Sequence, residues 1–445
     1  MEDKLKINQT TFFDKYPAYK DSGVPWLGEI PAHWEILKLG NLLSPVSVKN
    51  EPNLPLLSIT REKGVILRDL DNEEENHNFI PDDLSNYKLL REGQFGMNKM
   101  KAWQGSYGVS DFTGIVSPAY YVFNLEEKVE PRFFHKAIRS SSYISFFGAA
   151  SDGVRIGQWD LSKERMKQIP FLIPPKHEQT AIATFLDRKT TQIDQAISQK
   201  ERMIELLKER RQILIQNAVT RGLNPNVKMK DSGVEWIGEI PEHWEVKRIK
   251  YLGKIMNGYA FDSSKFKTEG TRVIKIANIQ TMRIDWTEES YIDDKYYNLL
   301  PQFRINKGDL VFALTRPIIS TGIKAAIVES EEKILLNQRN AVLKPLLKVD
   351  KSWLYYIILD QMFTQSFDKM IDITGQQPNI STISIGNLQI PYTAIEEQRL
   401  IITFLNKVTI KISQAIFHKE KEIEKLKEYK STLINSAVTG KIKVC

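Results

Sequence analysis

Side chains able to pair with base edges (Arg, Lys, Asn and Gln), beside cations and hydroxyls able to hold phosphate, gather in a few short runs of this 445-residue chain. The densest is MNKMKAWQGSYG, Met97 to Gly108. In it Asn98, Lys99, Lys101, Trp103, Gln104, Ser106 and Tyr107 stand among glycines that let a backbone approach a ligand closely. Arg61 and Lys63, on a turn ending at Gly64, are further candidates, as are Arg155 and Gln158 near a Gly157-Gln158 turn. A second group lies downstream: Asn278 and Gln280, then Thr315 and Arg316 directly after a strand-like run. Asn337, Gln338 and Arg339 follow, and then Gln376 and Gln377 before Asn379. For each of these the competing reading is turn chemistry, because Asn and Gln near Gly and Pro often bond only to backbone.

Catalytic patterns do not accompany these runs. The sequence has no G-x-x-x-x-G-K-[ST] loop for ATP and no Asn-Pro-Pro-aromatic loop to hold a flipped base; Asn224-Pro225 is followed by Asn226. The six histidines are scattered without metal-ligand spacing, and no metal site is expected; Asp82-Asp83 and Asp293-Asp294 fall in turn-like stretches. A self-sufficient nuclease or methyltransferase is therefore disfavoured.

What must position the candidates is a plan used twice. Lys20 to Glu35 (KDSGVPWLGEIPAHWE) and Lys230 to Glu245 (KDSGVEWIGEIPEHWE) differ only at Pro25/Glu235, Leu27/Ile237 and Ala32/Glu242. His33 and His243 occupy matching places and are expected to be structural. Trp26, Trp34, Trp236 and Trp244 recur too, which suits core packing, since reading residues should diverge between copies. Each copy is followed by a variable region and then by a long stretch free of Gly and Pro, Glu178 to Ala218 and Glu397 to Ala437. These stretches predict helices of about 40 residues, about 60 Å long. Their apolar rows alternate in steps of four and three. In the first the row is Ile193, Ile197, Ile204, Leu207 and Leu214, with Lys200 at a polar step; in the second it is Ile412, Ile416, Ile423, Leu426 and Leu433, with Lys419 at the same step. This is a coiled-coil seam, and the two lysines are read as register-setting polar residues. Antiparallel pairing is expected, because parallel pairing would oblige the linker to run back the whole length of the helices. Phe185, Leu186, Phe404 and Leu405, just before the seam, either pack on the neighbouring globule or offer an apolar surface to a partner.

The variable regions each predict an α/β globule dominated by a curved sheet. Strand-like runs lie at Ala119–Phe123 and around Val65–Leu67 in the first, and at Arg272–Ala277, Asp309–Ala313, Lys324–Val328 and Ala341–Leu343 in the second. One helical segment is expected in each, opened by Pro131 and capped by Asp350. The chain carries a net charge of +7 and a pI of about 9.0, which favours a polyanionic partner. Its one cysteine, Cys445, excludes internal disulfides and suits a cytoplasmic location. No secretory signal and no run of 18 apolar residues is present, so no membrane association is expected.

The doubled DSGVxWxGEIPxHWE block, the doubled IP…EQ…FL opening of a long helix, and the AVT exits (Ala218-Val219-Thr220 and Ala437-Val438-Thr439) resemble the specificity subunit of type I restriction-modification systems. The resemblance covers nearly the whole chain, and the Met97–Gly108 run resembles a motif of one class of its recognition domains. It implies an α+β protein: two α/β target-recognition globules separated by two long helices forming an antiparallel intramolecular coiled coil, with a pseudo-two-fold repeat. The expected division is 1–40 (first block), 41–173 (first recognition domain), 174–220 (first spacer helix), 221–250 (linker and second block), 251–391 (second recognition domain) and 392–445 (second helix). The resemblance further implies a non-catalytic chain that recognises a bipartite, asymmetric site on double-stranded DNA. Its partners would be two methyltransferase and two restriction subunits, with S-adenosylmethionine, ATP and magnesium on those partners and no cofactor here. The rival class is a free-standing bivalent DNA-binding scaffold of the same architecture, which would not co-purify with a methyltransferase chain.

Overall fold

The structure, a computed structural model, describes residues 13–69, 81–155 and 158–444. Gly157 and Cys445, named above, lie outside the described residues. The chain divides into two compact units that do not follow chain order. One comprises residues 1–200 with 421–445, the other residues 201–420. Each long helix contributes to both: the first is continuous from Lys176 to Arg221 and the second from Ile395 to Val438.

Each unit holds a globule with the same strand order, built from unlike sequences. In the first, a four-stranded antiparallel sheet runs Leu43–Val46, Tyr120–Leu125, Phe95–Asn98, Tyr107–Val109, with Val122 opposite both Val46 and Gly96. In the second the order is Gly253–Asn257, Asn340–Pro345, Leu310–Ala313, Ala325–Ile327, with Val342 opposite both Met256 and Val311. Both sheets carry buried Val and Phe on paired central strands, as a sheet covered on both faces requires. Each expected single helix is instead two. Pro131–Ile138 is followed by Ser141–Ala149, and Lys351–Ile358 by Gln361–Asp368. In the second pair Asp360 ends one helix and caps the next, its carboxylate accepting the Phe363 N–H at 2.9 Å, a local bond that competes with continuing the helix. Asp350 caps the earlier helix as expected.

The repeated residues form a clamp at the start of each long helix. Trp34 is wholly buried and donates its indole N–H to Glu178 at 2.9 Å, while His33 Nε2 lies 2.6 Å from the same carboxylate. Trp244 and His243 hold Glu397 in the same way, each at 3.0 Å. Both carboxylates sit in the first helical turn, where the helix dipole favours negative charge. Burial alone would raise the Glu178 carboxyl, but the Trp34 and His33 hydrogen bonds outweigh it and hold it below the usual carboxylate range. The next residue, Gln179 or Gln398, is fully buried. It accepts the N–H of the residue that caps the globule's first helix (Glu130 at 2.8 Å, Asp350 at 2.9 Å) and donates to carbonyls of the preceding turn. The doubled Glu-Gln thus ties block, globule and helix together. Trp26 and Trp236 pack on Phe146 and Phe363, so all four repeated tryptophans serve the core.

Within each unit the long helices run antiparallel. In the first, Asp194 pairs with Lys430 at 2.6 Å and Lys200 with Glu422. In the second, Arg211, Gln212 and Ile215 border the same groove as Thr409, Ile410 and Ser413. Of the expected seam, Ile193, Ile197, Ile204, Ile412, Ile416, Ile423 and Leu433 are buried. Leu207, Leu214 and Leu426 are only half buried; Ile215, 1% exposed, replaces Leu214. A helix of 3.6 residues per turn drifts off a 3.5-residue row, and Ile215 enters the core that holds Trp244, Trp353 and Leu405. Leu186 and Leu405 are buried, Phe404 packs against that same core of its own unit, and Phe185 meets Phe13 edge-on. The second helix contains an 18-residue window of mean hydropathy 1.4, apolar enough for a membrane span although no unbroken apolar run exists. Ile401, Leu405, Ile412 and Ile416 on that helix are buried, while Leu400, Ile410 and Phe417 are exposed, and 22% of the window is buried.

Candidate nucleic-acid interface

In the first globule the candidates converge on two adjoining loops. The hairpin Leu57–Thr60/Gly64–Leu67 carries Arg61 and Lys63, both exposed, on its turn. Gly64, at φ +75°, makes the return; a side chain there would also press on His135 and Arg139. The second loop follows the strand Phe95–Asn98 and turns at Gly105, φ +91°. Lys101 is exposed, and Lys99, Trp103 and Gln104 are half buried. Trp103 stacks on Trp159 with centroids 5.1 Å apart, and Lys99 reaches Asp160 at 3.4 Å. The hairpin Ser151–Arg155/Gln158–Leu161, in which Arg155 is paired in backbone register with Gln158, therefore lies over this loop. Trp159 escaped notice in the sequence, where no spacing marks it.

Three residues of the run are corrected to structural roles. Tyr107 is wholly buried, packed on Phe95 and Phe147; Ser106 is buried beside it. Asn98 is buried, accepting the Met100 N–H at 3.2 Å and donating to the Tyr120 hydroxyl at 3.3 Å. Their side chains are enclosed because the strands Phe95–Asn98 and Tyr107–Val109 are buried at every position, so neither of the two faces on which alternate residues project reaches solvent.

Arg139, at the end of the helix Pro131–Ile138, joins the two loops. Its guanidinium donates to the carbonyls of Gly105 (3.1 Å) and Tyr107 (2.6 Å) in one and of Arg61 and Glu62 (2.9 Å each) in the other. Nothing in the sequence distinguishes this arginine from its neighbours. One turn earlier, His135 Nδ1 accepts the Val109 N–H at 3.2 Å, which requires a neutral ring. Burial, then the charges of Arg139 and Lys136, push the imidazole down to about 4. Between that value and the ordinary 6.5 the unfolded chain binds a proton that the folded one refuses, so stability falls as pH falls through this window. Acidifying from pH 7 to 4.5 is expected to cost the first unit roughly 2–3 kcal/mol through this residue. Urea unfolding of wild type and His135→Asn at both pH values checks this, the substitution flattening the pH dependence.

In the second globule six candidates meet in one open cleft of about 600 Å³: Thr315, Gln338, Arg339, Gln376, Gln377 and Asn379. The strand Leu310–Ala313 delivers Thr315, whose hydroxyl donates to Asn379 at 3.3 Å. Asp372 and Asn379 exchange backbone hydrogen bonds, closing a hairpin whose exposed tip carries Gln376 and Gln377. Gln338 and Arg339 sit on the turn between Ile334–Leu336 and Asn340–Pro345. Arg316 adopts φ +48°, uncommon for a side-chain-bearing residue, held by its N–H to Pro378 at 2.8 Å. It projects beside Lys324, whose ammonium is pushed down by burial and then by the Arg316 charge. Asn337 is half buried next to the cleft. Asn278 is corrected: it is buried, its amide committed to Lys275, Asp285 and Glu288 backbone. Gln280 likewise donates to the Ala277 carbonyl and lies outside the cleft lining. Among the described residues no three His, Cys, Asp or Glu gather as metal ligands would.

Two globules of one plan with unlike loops, each bolted to a long helix by repeated residues, define a duplicated two-headed binding protein. A model described as the type I restriction modification DNA specificity domain matches residues 241–425. The type I restriction enzyme MjaVIII specificity subunit of Methanocaldococcus jannaschii is 28% identical over 425 residues, covering 93% of this chain and 94% of that one. A solved chain from a study of complex assembly and conformational transition of the type I R-M system superposes with a TM-score of 0.70 at 16% identity, over 92% of this chain and 98% of that one. The HsdS subunit from Thermoanaerobacter tengcongensis gives 0.54 at 16% identity, over 93% and 98%. Residues 241–425 thus carry a match to the type I restriction modification DNA specificity domain, and the chain over nearly its whole length is similar to type I restriction enzyme specificity subunits.

Proposed function

We propose that this chain is a specificity subunit, a DNA-recognition chain and not itself the enzyme, which reads a bipartite, asymmetric site on duplex DNA and brings partner subunits to it. The first globule reads one half through the loops around Arg61–Lys63 and Lys99–Gln104, and the second reads the other through the cleft at Thr315 and Gln376–Asn379. The paired helices set the distance between the halves and dock two methyltransferase subunits; two restriction subunits complete the assembly. S-adenosylmethionine, ATP and magnesium belong to those partners, and the complex works in the cytoplasm. One observation carries this reading. The same strand order recurs in both units on unlike sequences, while the residues that fasten each globule to its helix are the same. Constant fastening with divergent loops is what two independent readers on a common frame require.

Replacing residues 41–169 with the corresponding region of another specificity subunit is the test. Mapping methylated adenines in DNA treated with the assembled complex should show one half-site changed and the other kept. A change in both halves would refute independent readers.

A further inference from the structure

The cleft of the second globule differs from the rest of that unit in how its amides are used. Asn278, Gln280, Asn340 and Gln398 all direct their side-chain amides to backbone groups. In the cleft, Gln338, Gln376, Gln377 and Asn257 make no side-chain hydrogen bond among the described residues, and Asn379 keeps its amide nitrogen unpaired while its oxygen accepts from Thr315. No carboxylate lines the cleft; Arg339 is the cation in its lining. These unpaired amides are held on three separate backbone segments. The segment of Gln376, Gln377 and Asn379 is closed on itself by the Asp372–Asn379 bridge and braced on the strand end at Thr315 by the Thr315–Asn379 bridge, so its amides meet a ligand from a fixed direction.

A carboxamide offers one donor and one acceptor side by side. In the major groove that pattern complements adenine, which presents N7 as acceptor and N6–H as donor; guanine presents two acceptors and suits arginine, and cytosine presents a donor and suits a carboxylate. A cleft with several unpaired amides and no acid is built for adenine edges. Resting on the reading of this globule as a DNA-reading head, we infer that its half-site contains at least two A·T pairs read by this amide set, with Gln376 and Gln377 as specificity-determining residues. Arg339 and Arg316 flank the amides and hold phosphate or a neighbouring guanine.

The test uses the full-length chain to select from a library of random duplexes, comparing wild type with the Gln376→Leu/Gln377→Leu double variant and with Gln376→Glu. Both glutamines are exposed at a hairpin tip, so folding is retained; matching thermal unfolding curves verify it. Wild type should select a consensus in which the positions lost by the double variant are A·T pairs, with affinity for that consensus falling roughly 10- to 100-fold. Gln376→Glu should convert one of those positions to a C·G pair, because a carboxylate accepts from cytosine N4. That is a gain a misfolded head cannot produce. If the positions lost are G·C pairs, or if the double variant keeps the whole consensus, the amide assignment is overturned while the DNA-specificity reading stands. A wild-type chain that selects no consensus at all would overturn that reading as well.

Discussion

Four residues inserted into each long helix, after Lys200 and after Glu420, are expected to shift the preferred spacing between the two half-sites up by about two base pairs. The insertion adds about 6 Å of helix, and duplex DNA rises about 3.4 Å per base pair. Rotation agrees in sense. Four residues at 3.6 per turn advance the distal part by about 40° right-handed, and two base pairs advance the duplex by about 70°. Inserting at both points keeps the antiparallel partners level, since Lys200 faces Glu422 there. A four-residue insertion is a stutter, which unwinds a coiled coil locally without ending it. A site at the original spacing then engages one head at a time, and binding should weaken at least about 100-fold, the worth of two or three base-edge contacts. Competition binding with duplexes of graded spacing reads both effects. An unchanged optimum would sink the proposal that these helices set the distance. Insertion into one helix alone should instead misalign Ile197 and Ile204 against their partners and lower stability without a new optimum.

How much of this was legible in the sequence depends on what each residue answers to. The long helices, their antiparallel pairing and the structural tryptophans were readable, because the same apolar rows and the same block occur twice and so report constraints local to one element. The strands at Tyr120–Leu125, Leu310–Ala313 and Asn340–Pro345 announced themselves by β-branched and aromatic runs. Which polar residues face outward was not readable. Asn98 and Asn278 have the composition of reading residues, yet both are buried and bonded inward, and only tertiary placement separates them from Gln376 or Gln338. The Glu-Gln pair opening each helix was visible as a repeat, but its partners lie about 50 residues upstream in one case and about 145 in the other. No local pattern encodes such pairings. The break at Asp360 was missed because helix periodicity persists on both sides of a capping residue.

Arg139 is where a single substitution should expose the link between loop placement and reading. Its guanidinium supplies four hydrogen bonds to four carbonyls on two loops, a geometry that planar arginine can meet and lysine cannot. Arg139→Met preserves much of the stem packing and removes all four bonds, leaving the Gly105 carbonyl only the Tyr107 N–H at 2.8 Å. The first unit should lose roughly 1–3 kcal/mol, the cost of the buried Tyr107 carbonyl losing a charged donor, since the Arg61 and Glu62 carbonyls lie on an exposed turn. The functional effect should be larger and one-sided. With the Arg61–Lys63 turn no longer tied to the Gly105–Tyr107 stem, discrimination against single changes in the first half-site should fall at least about tenfold, the scale of one base-edge contact. Discrimination in the second half-site should be unchanged, since none of the four carbonyls belongs to that unit. Arg139→Lys should fall between, recovering part of the stability but little of the discrimination. Urea unfolding measures the first effect, and binding to duplexes altered in either half measures the second. If stability falls while first-half discrimination stays intact, Arg139 holds the fold alone and the two loops read DNA, if at all, without being joined.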